Sequence, residues 1–240
     1  MDDYTTMSNT LEEVLKRYRD PSGNVDYFSM MGDAGTVAFA ESLATFDLDT
    51  LDTREKQLAF WINCYNALSI YGVLQKLKTD PDFVKKGNSS WFQRVRFFAL
   101  QKFEVGGKQY TLREIENNIR NEFKDPRIHF ALNCSSMGCP VLKDGRYSAE
   151  NIENELEESS KLFLGSPRGA RIEEGSNTLY VSLIFKWYKD DFTITGKSIP
   201  EFVLQYIPED KKNYLEEHLK DIKVKYLDYD WSLNLSDEVE

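Results

Sequence analysis

The chain has 240 residues, with 30 Lys plus Arg against 40 Asp plus Glu and a formal net charge of -10, a balance that repels nucleic-acid phosphates and anionic lipid surfaces. The length suffices for a core without disulfide or metal staples, and no apolar run approaches the roughly 20 residues that cross a bilayer. With no basic, apolar leader and only 3 cysteines, an odd and sparse number, the expectation is a protein of the reducing cytoplasm, with no nucleic acid, membrane or cofactor among its partners.

In chain order, Ser8 to Tyr18 has helical spacing (Leu11, Val14, Leu15, Tyr18) and stops at Asp20-Pro21-Ser22-Gly23, where proline and glycine end a helix. A second helix is predicted from Asp33 to Thr45 and a third from Thr53 to Leu77, whose middle, LAFWINCYNALSIYGVL, is apolar almost all round and therefore central. Gln101 to Tyr110 reads as a hairpin about Gly106-Gly107, and Thr111 with Glu114 forms a capping box for a helix from Leu112 to Phe123. A strand-like run, Arg127 to Asn133, then leads into the turn Ser135-Ser136-Met137-Gly138 and on to Cys139-Pro140. Beyond it, Ser148 is placed to cap a helix through Leu164, Thr178 to Ser182 reads as a strand, and Ser198 with Glu201 opens a helix pair interrupted by Pro208. The last element expected is Lys223 to Asp230. The predicted class is α+β, a small mostly antiparallel sheet against a central buried helix. An N-terminal helix and linker occupy 1–24, one domain 25–234, and an acidic tail 235–240.

The segment RIHFALNCSSMGCP gathers one of 2 histidines and two of 3 cysteines. His129 carries the imidazole best suited to accept a proton near neutrality, and Cys139 precedes a proline that favours the first position of a helix, so its sulfur falls at a predicted helix N-cap where a thiolate is stabilised. Ser135, Ser136 and Gly138 offer turn amides for a nest that holds an oxyanion or carboxylate, with Asn133 beside them. Asn63 and Asn66 lie three apart on the buried helix; their amides either stitch it to a neighbouring turn or polarise a substrate carbonyl. Glu116 either orients His129 or is a surface acid, and Asp190 or Asp191 needs a partner, for which Arg127 is the candidate. Cys64 reads as core and His218 as solvated. The reading is thiol hydrolysis or acyl transfer, with Cys139 attacking and His129 accepting its proton. The alternatives are a peptide- or small-ligand-binding module using the same pocket, with Tyr188 and Asp191 as further contacts, and thiol redox exchange through a Cys134–Cys139 bridge. A metal site from His129, Cys134, Cys139 and Cys64 lacks the usual ligand spacing.

Four ordered blocks, FWINCYNAL, DPRIHFALNCSSMGCP, IFKWYKDDF and YLDYDWSLN, between about Val25 and Asn234, resemble the bacterial and archaeal branch of the domain of unknown function 547 family. That resemblance implies recurrent polar positions at Asn63, Asn66, Glu116, His129, Cys139, Tyr188 and Asp191, and no established activity. Asn117 stands where family members commonly have histidine, and plant relatives lack a counterpart of Cys139. The plan of helix, strands, cysteine and histidine is also distantly similar to papain-like and transglutaminase-like hydrolases, a fold-level analogy.

Overall fold

The computed structural model describes residues 3–236, with side chains from Met7 onward; within the expected acidic tail, the residues beyond Ser236 lie outside the described residues. Helix α1 (Asp3–Tyr18) starts before Ser8 and buries Met7, Leu11, Val14 and Leu15 against its neighbours. Helix α2 (Ala34–Ala44) is capped by Asp33, whose carboxylate accepts the Thr36 N–H. Helix α3 (Arg54–Thr79), capped by Thr53, runs through the middle of the structure and is buried on nearly every face from Leu58 to Leu77. That matches its all-round apolar sequence, because a helix with no polar stripe can be satisfied only by neighbours on all sides.

Strands β1 (Lys102–Val105) and β2 (Lys108–Thr111) pair antiparallel as the expected hairpin, and Thr111 and Glu114 complete the reciprocal capping box of α4 (Leu112–Phe123). After α5 (Ile152–Gly165), strands β3 (Ala170–Glu173) and β4 (Thr178–Val181) pair antiparallel. Helices α6 (Ile199–Leu204) and α7 (Glu209–Glu217) follow, and β5 (Lys223–Tyr226) joins β4 in parallel. The class is α+β as expected, with one parallel pairing in the second sheet.

Three local expectations are corrected. Pro126–Phe130 is a 3₁₀ helix, not a strand, because Asp125 accepts the Arg127 N–H and Pro126 supplies the fixed φ of a first helical turn. The alternation Ile128-His129-Phe130 instead splits a pair of cores: Ile128 packs with α1 to α4, and Phe130 with α5, the second sheet and the C-terminal helices. Pro140 does not open a helix. The chain stays irregular until Ile152, and Ser148 is no cap, since its N–H is held by the Glu155 carboxylate from inside α5.

Past β5 the chain returns as a strap across the middle of the fold. Its backbone takes up the N–H groups of Gly138 (Asp230 O, 2.8 Å), Met137 (Ser232 O, 2.9 Å) and Val25 (Asn234 O, 2.9 Å), while Asn234 N–H reaches the Ser135 carbonyl at 3.2 Å. A Cβ on Gly138 would stand 2.9 Å from the Asp230 nitrogen, so glycine is what lets the strap lie this close.

Candidate functional site

A cavity of about 430 Å³ opens at the seam of the two cores, within the range of small-molecule sites. Glu116 from α4, His129 from the 3₁₀ turn, Cys134 and Cys139 from the following loop, Tyr188, and Tyr229 from the strap all line it. The family-like blocks therefore converge, although the pairings differ from those expected.

His129 is 4 % exposed, and its Nε2 lies 2.7 Å from the Asp191 carboxylate, which also accepts from Arg120 Nε at 2.7 Å. A carboxylate opposite Nε2 makes that nitrogen the donor and leaves Nδ1 as the acceptor of the neutral ring; Nδ1 has no hydrogen-bond partner among the described residues. The imidazole stacks on Tyr188 at 4.2 Å, and the Arg120 guanidinium covers the same ring at 4.3 Å. Asp191, not Glu116, thus orients the histidine, and it does so from behind the ring without lining the cavity. Its expected partner Arg127 is taken by Asp125 and Glu153, each at 2.6 Å. Partial burial works against the charged form of Asp191, yet the hydrogen bonds from His129 and Arg120 outweigh it and hold the carboxyl well below the usual carboxylate range.

That depression has a sign. A carboxylate with a folded pKa below its unfolded value of about 3.9 contributes stability that is complete above that pH and lost as pH falls through the folded value. Asp191→Ala is therefore expected to lower the unfolding free energy by about 1–2 kcal/mol at pH 7, discounted for its partial exposure to solvent. Urea unfolding at pH 7 and at pH 2.5 checks this: the deficit must shrink at the lower pH, and an equal deficit at both would refute the ion-pair account.

Cys134 and Cys139 are joined as a disulfide, and Cys64, buried in α3, is the free cysteine. Cys139 is 2 % exposed, and its sulfur accepts the Cys134 N–H at 2.9 Å and the Tyr229 hydroxyl at 3.0 Å. The same hydroxyl lies 3.3 Å from the Cys134 sulfur, and Cys134 is the less buried of the pair. Burial first, then the nearby charge of Glu116, pushes the Tyr229 phenol up, so it stays a protonated donor. Glu116 raises Tyr65 and Tyr188 in the same way, behind burial. No hydrogen bond joins Cys139 to His129: the Cys139 sulfur is bonded to Cys134, and no free thiolate sits beside the imidazole.

The expected nest is corrected too. The N–H groups of Met137, Gly138 and Cys139 are used by Ser232, Asp230 and Ser136, and that of Ser135 by the Asn133 side chain. Asn133 also donates to the Pro140 carbonyl, the Ser135 hydroxyl pairs with Ser69 at 2.9 Å, and Ser136 is 1 % exposed. The Ser136 hydroxyl is buried without a hydrogen-bond partner among the described residues, and with the turn amides engaged elsewhere no array of them is left for an anion. Asn63 and Asn66 are likewise spent. Asn63 clamps both the N–H and carbonyl of Tyr147, and Asn66 clamps the Ala131 carbonyl and the Asn133 N–H. They stitch α3 to the site loop and to the chain beyond it. His218 is half-buried, stacked on Tyr214 at 4.2 Å.

Residue reasoning missed Arg120 and Tyr229 as site members. Arg120 follows Glu116 by one helical turn, a spacing that places both on one face of α4. Tyr229 had only the aromatic density of YLDYDW as a signal. Among the described residues no helix is long and apolar enough to cross a membrane.

No curated protein matches the chain, and no solved structure matches it. One family model does, over residues 48–164. That span holds Asn63, Asn66, Glu116, His129 and both bridged cysteines; Tyr188, Asp191 and the strap lie beyond it. Residues 48–164 form a domain of the family described as Protein of unknown function, DUF547.

Proposed function

We propose that the cavity is a thiol–disulfide exchange site for a dithiol carried by a peptide or small molecule. The observation that carries this reading is the Cys134–Cys139 bridge at the wall of the main cavity, with the Tyr229 hydroxyl and the Cys134 amide both donating to the Cys139 sulfur. A substrate thiolate attacks the more accessible Cys134 sulfur, forming a mixed disulfide. The Cys134–Cys139 bond breaks, and its electron pair leaves on Cys139. Donors already aimed at that sulfur stabilise the departing thiolate without reorganisation. The second substrate thiol, as thiolate, attacks the substrate sulfur of the mixed disulfide and releases Cys134. The substrate leaves as a disulfide, and two electrons and two protons remain on the cysteine pair.

Acyl transfer is the second reading, and the imidazole of His129 at the wall of the same cavity, held from behind by Asp191, favours it. It needs the bridge reduced, so that a cysteine can attack while Nδ1 of His129 takes the proton.

Alkylation with iodoacetamide in denaturant, followed by mass measurement, tests the bridge. Without reductant only Cys64 is expected to react; after reduction all 3 cysteines of the chain react. Full alkylation without reductant would remove the exchange reading. Turnover of a thioester probe by the reduced protein, with no dithiol oxidation by the bridged one, would install acyl transfer in its place.

A further inference from the structure

Between Phe83 and Phe103 the chain carries Lys85, Lys86, Arg94, Arg96 and Lys102 and no Asp or Glu, a local reversal of sign in a protein of net charge -10. The middle of this stretch forms a short helix, Trp91–Arg94, running directly into a π-helical turn, Val95–Leu100. It buries Phe97 and leaves Trp91 63 %, Phe92 77 % and Leu100 65 % exposed. Exposed apolar side chains scattered singly are normal, whereas three on ten residues mark a surface with a purpose. Arg94 is committed inward, donating to the Asn88 and Ser89 carbonyls and covering the Trp231 ring at 4.6 Å. Lys85 and Arg96 are exposed and form no ion pair among the described residues. Trp91 also lines the main cavity, so the stretch forms one lip of its mouth.

We propose that this stretch docks the cavity mouth onto an anionic lipid bilayer. Tryptophan, phenylalanine and leucine flanked by lysine and arginine are the composition of segments that lie in the headgroup–acyl boundary, the rings at headgroup depth and the cations against lipid phosphates. The overall charge opposes approach to such a surface, but screening confines the interaction to charges within a Debye length of the bilayer, where the cations of this stretch dominate contact. A second copy of the chain fits less well, since a two-fold interface would press this basic stretch, Lys85 and Arg96 included, against an identical basic stretch. Single-stranded nucleic acid would suit the rings, yet it offers no environment for the aliphatic Leu100, which has no face for a base to stack on.

Flotation of the full chain with vesicles of phosphatidylcholine, with and without phosphatidylserine, tests this. The chain is expected to float with the serine-containing vesicles at low salt, and at least tenfold less at high salt or with phosphatidylcholine alone. Phe92→Ser combined with Leu100→Ser, both at exposed positions, should lose at least tenfold while keeping the circular dichroism of the parent. Arg96→Glu should lose binding to the anionic vesicles. No flotation of the parent, or undiminished flotation of the double variant, overturns the proposal; so does a dimer in sedimentation that Phe92→Asp dissolves, which would assign the surface to a second copy.

Discussion

Asn66→Ala is expected to lower the unfolding free energy by about 2–5 kcal/mol, because it strips two buried backbone groups, the Ala131 carbonyl and the Asn133 N–H, of their partner at once. Each bond is short, 2.9 and 2.7 Å, and Asn66 is 5 % exposed, so water cannot take the place of the amide. The effect reaches the site, because residues 131–133 lead straight into Cys134. Urea unfolding monitored by tryptophan fluorescence measures the loss. A loss under about 1 kcal/mol, less than one unsatisfied buried group costs, would show that the clamp carries nothing and return Asn66 to the role of a substrate contact.

Cys139→Ser is expected to abolish oxidation of a dithiol peptide, and Tyr229→Phe to slow it about 10- to 100-fold. The second figure follows from removing one hydrogen bond to a developing thiolate, worth about 1.5–3 kcal/mol. Loss of free thiol in the peptide, followed colorimetrically, gives both rates. Dithiol oxidation persisting in Cys139→Ser would sink the exchange mechanism. A Tyr229→Phe protein with unchanged rate would leave the mechanism standing but deny the phenol its part. Cys64→Ser, at a buried thiol away from the cavity, is the control for the exchange chemistry.

What the sequence disclosed and what it concealed divide by range along the chain. Helices α2, α3 and α4 and the capping boxes at Thr111 and Ser198 were legible, since a cap and a periodicity are settled by residues three or four apart. The strand reading of Ile128 to Phe130 failed for a local reason, a three-residue alternation overruled by the Asp125-Pro126 start signal. The nest failed for a distant one: the carbonyls that consume its amides belong to Asp230 and Ser232, and nothing in a Ser-Ser-Met-Gly turn announces them. The same distance hid the partner of Asp191. Arg127 was the obvious cation by proximity to His129, but Asp125, two residues earlier, had already claimed it, leaving Arg120 for the histidine's acid. Convergence of His129, Cys139, Glu116 and Tyr188 on one cavity was readable from their clustering in motifs, whereas the bond between Cys134 and Cys139 was one alternative among several.

The return of the strap over the loop carries a consequence for biosynthesis. Tyr229 follows Cys139 by 90 positions, so on a translating ribosome the two sulfurs emerge well before the phenol and carbonyls that enclose them. Vectorial folding delivers α3 and its asparagine clamps first and the lid of the chamber last. Oxidation of the nascent pair would then take place in an open half-site, which is enclosed only as the irregular segment past β5 settles into position.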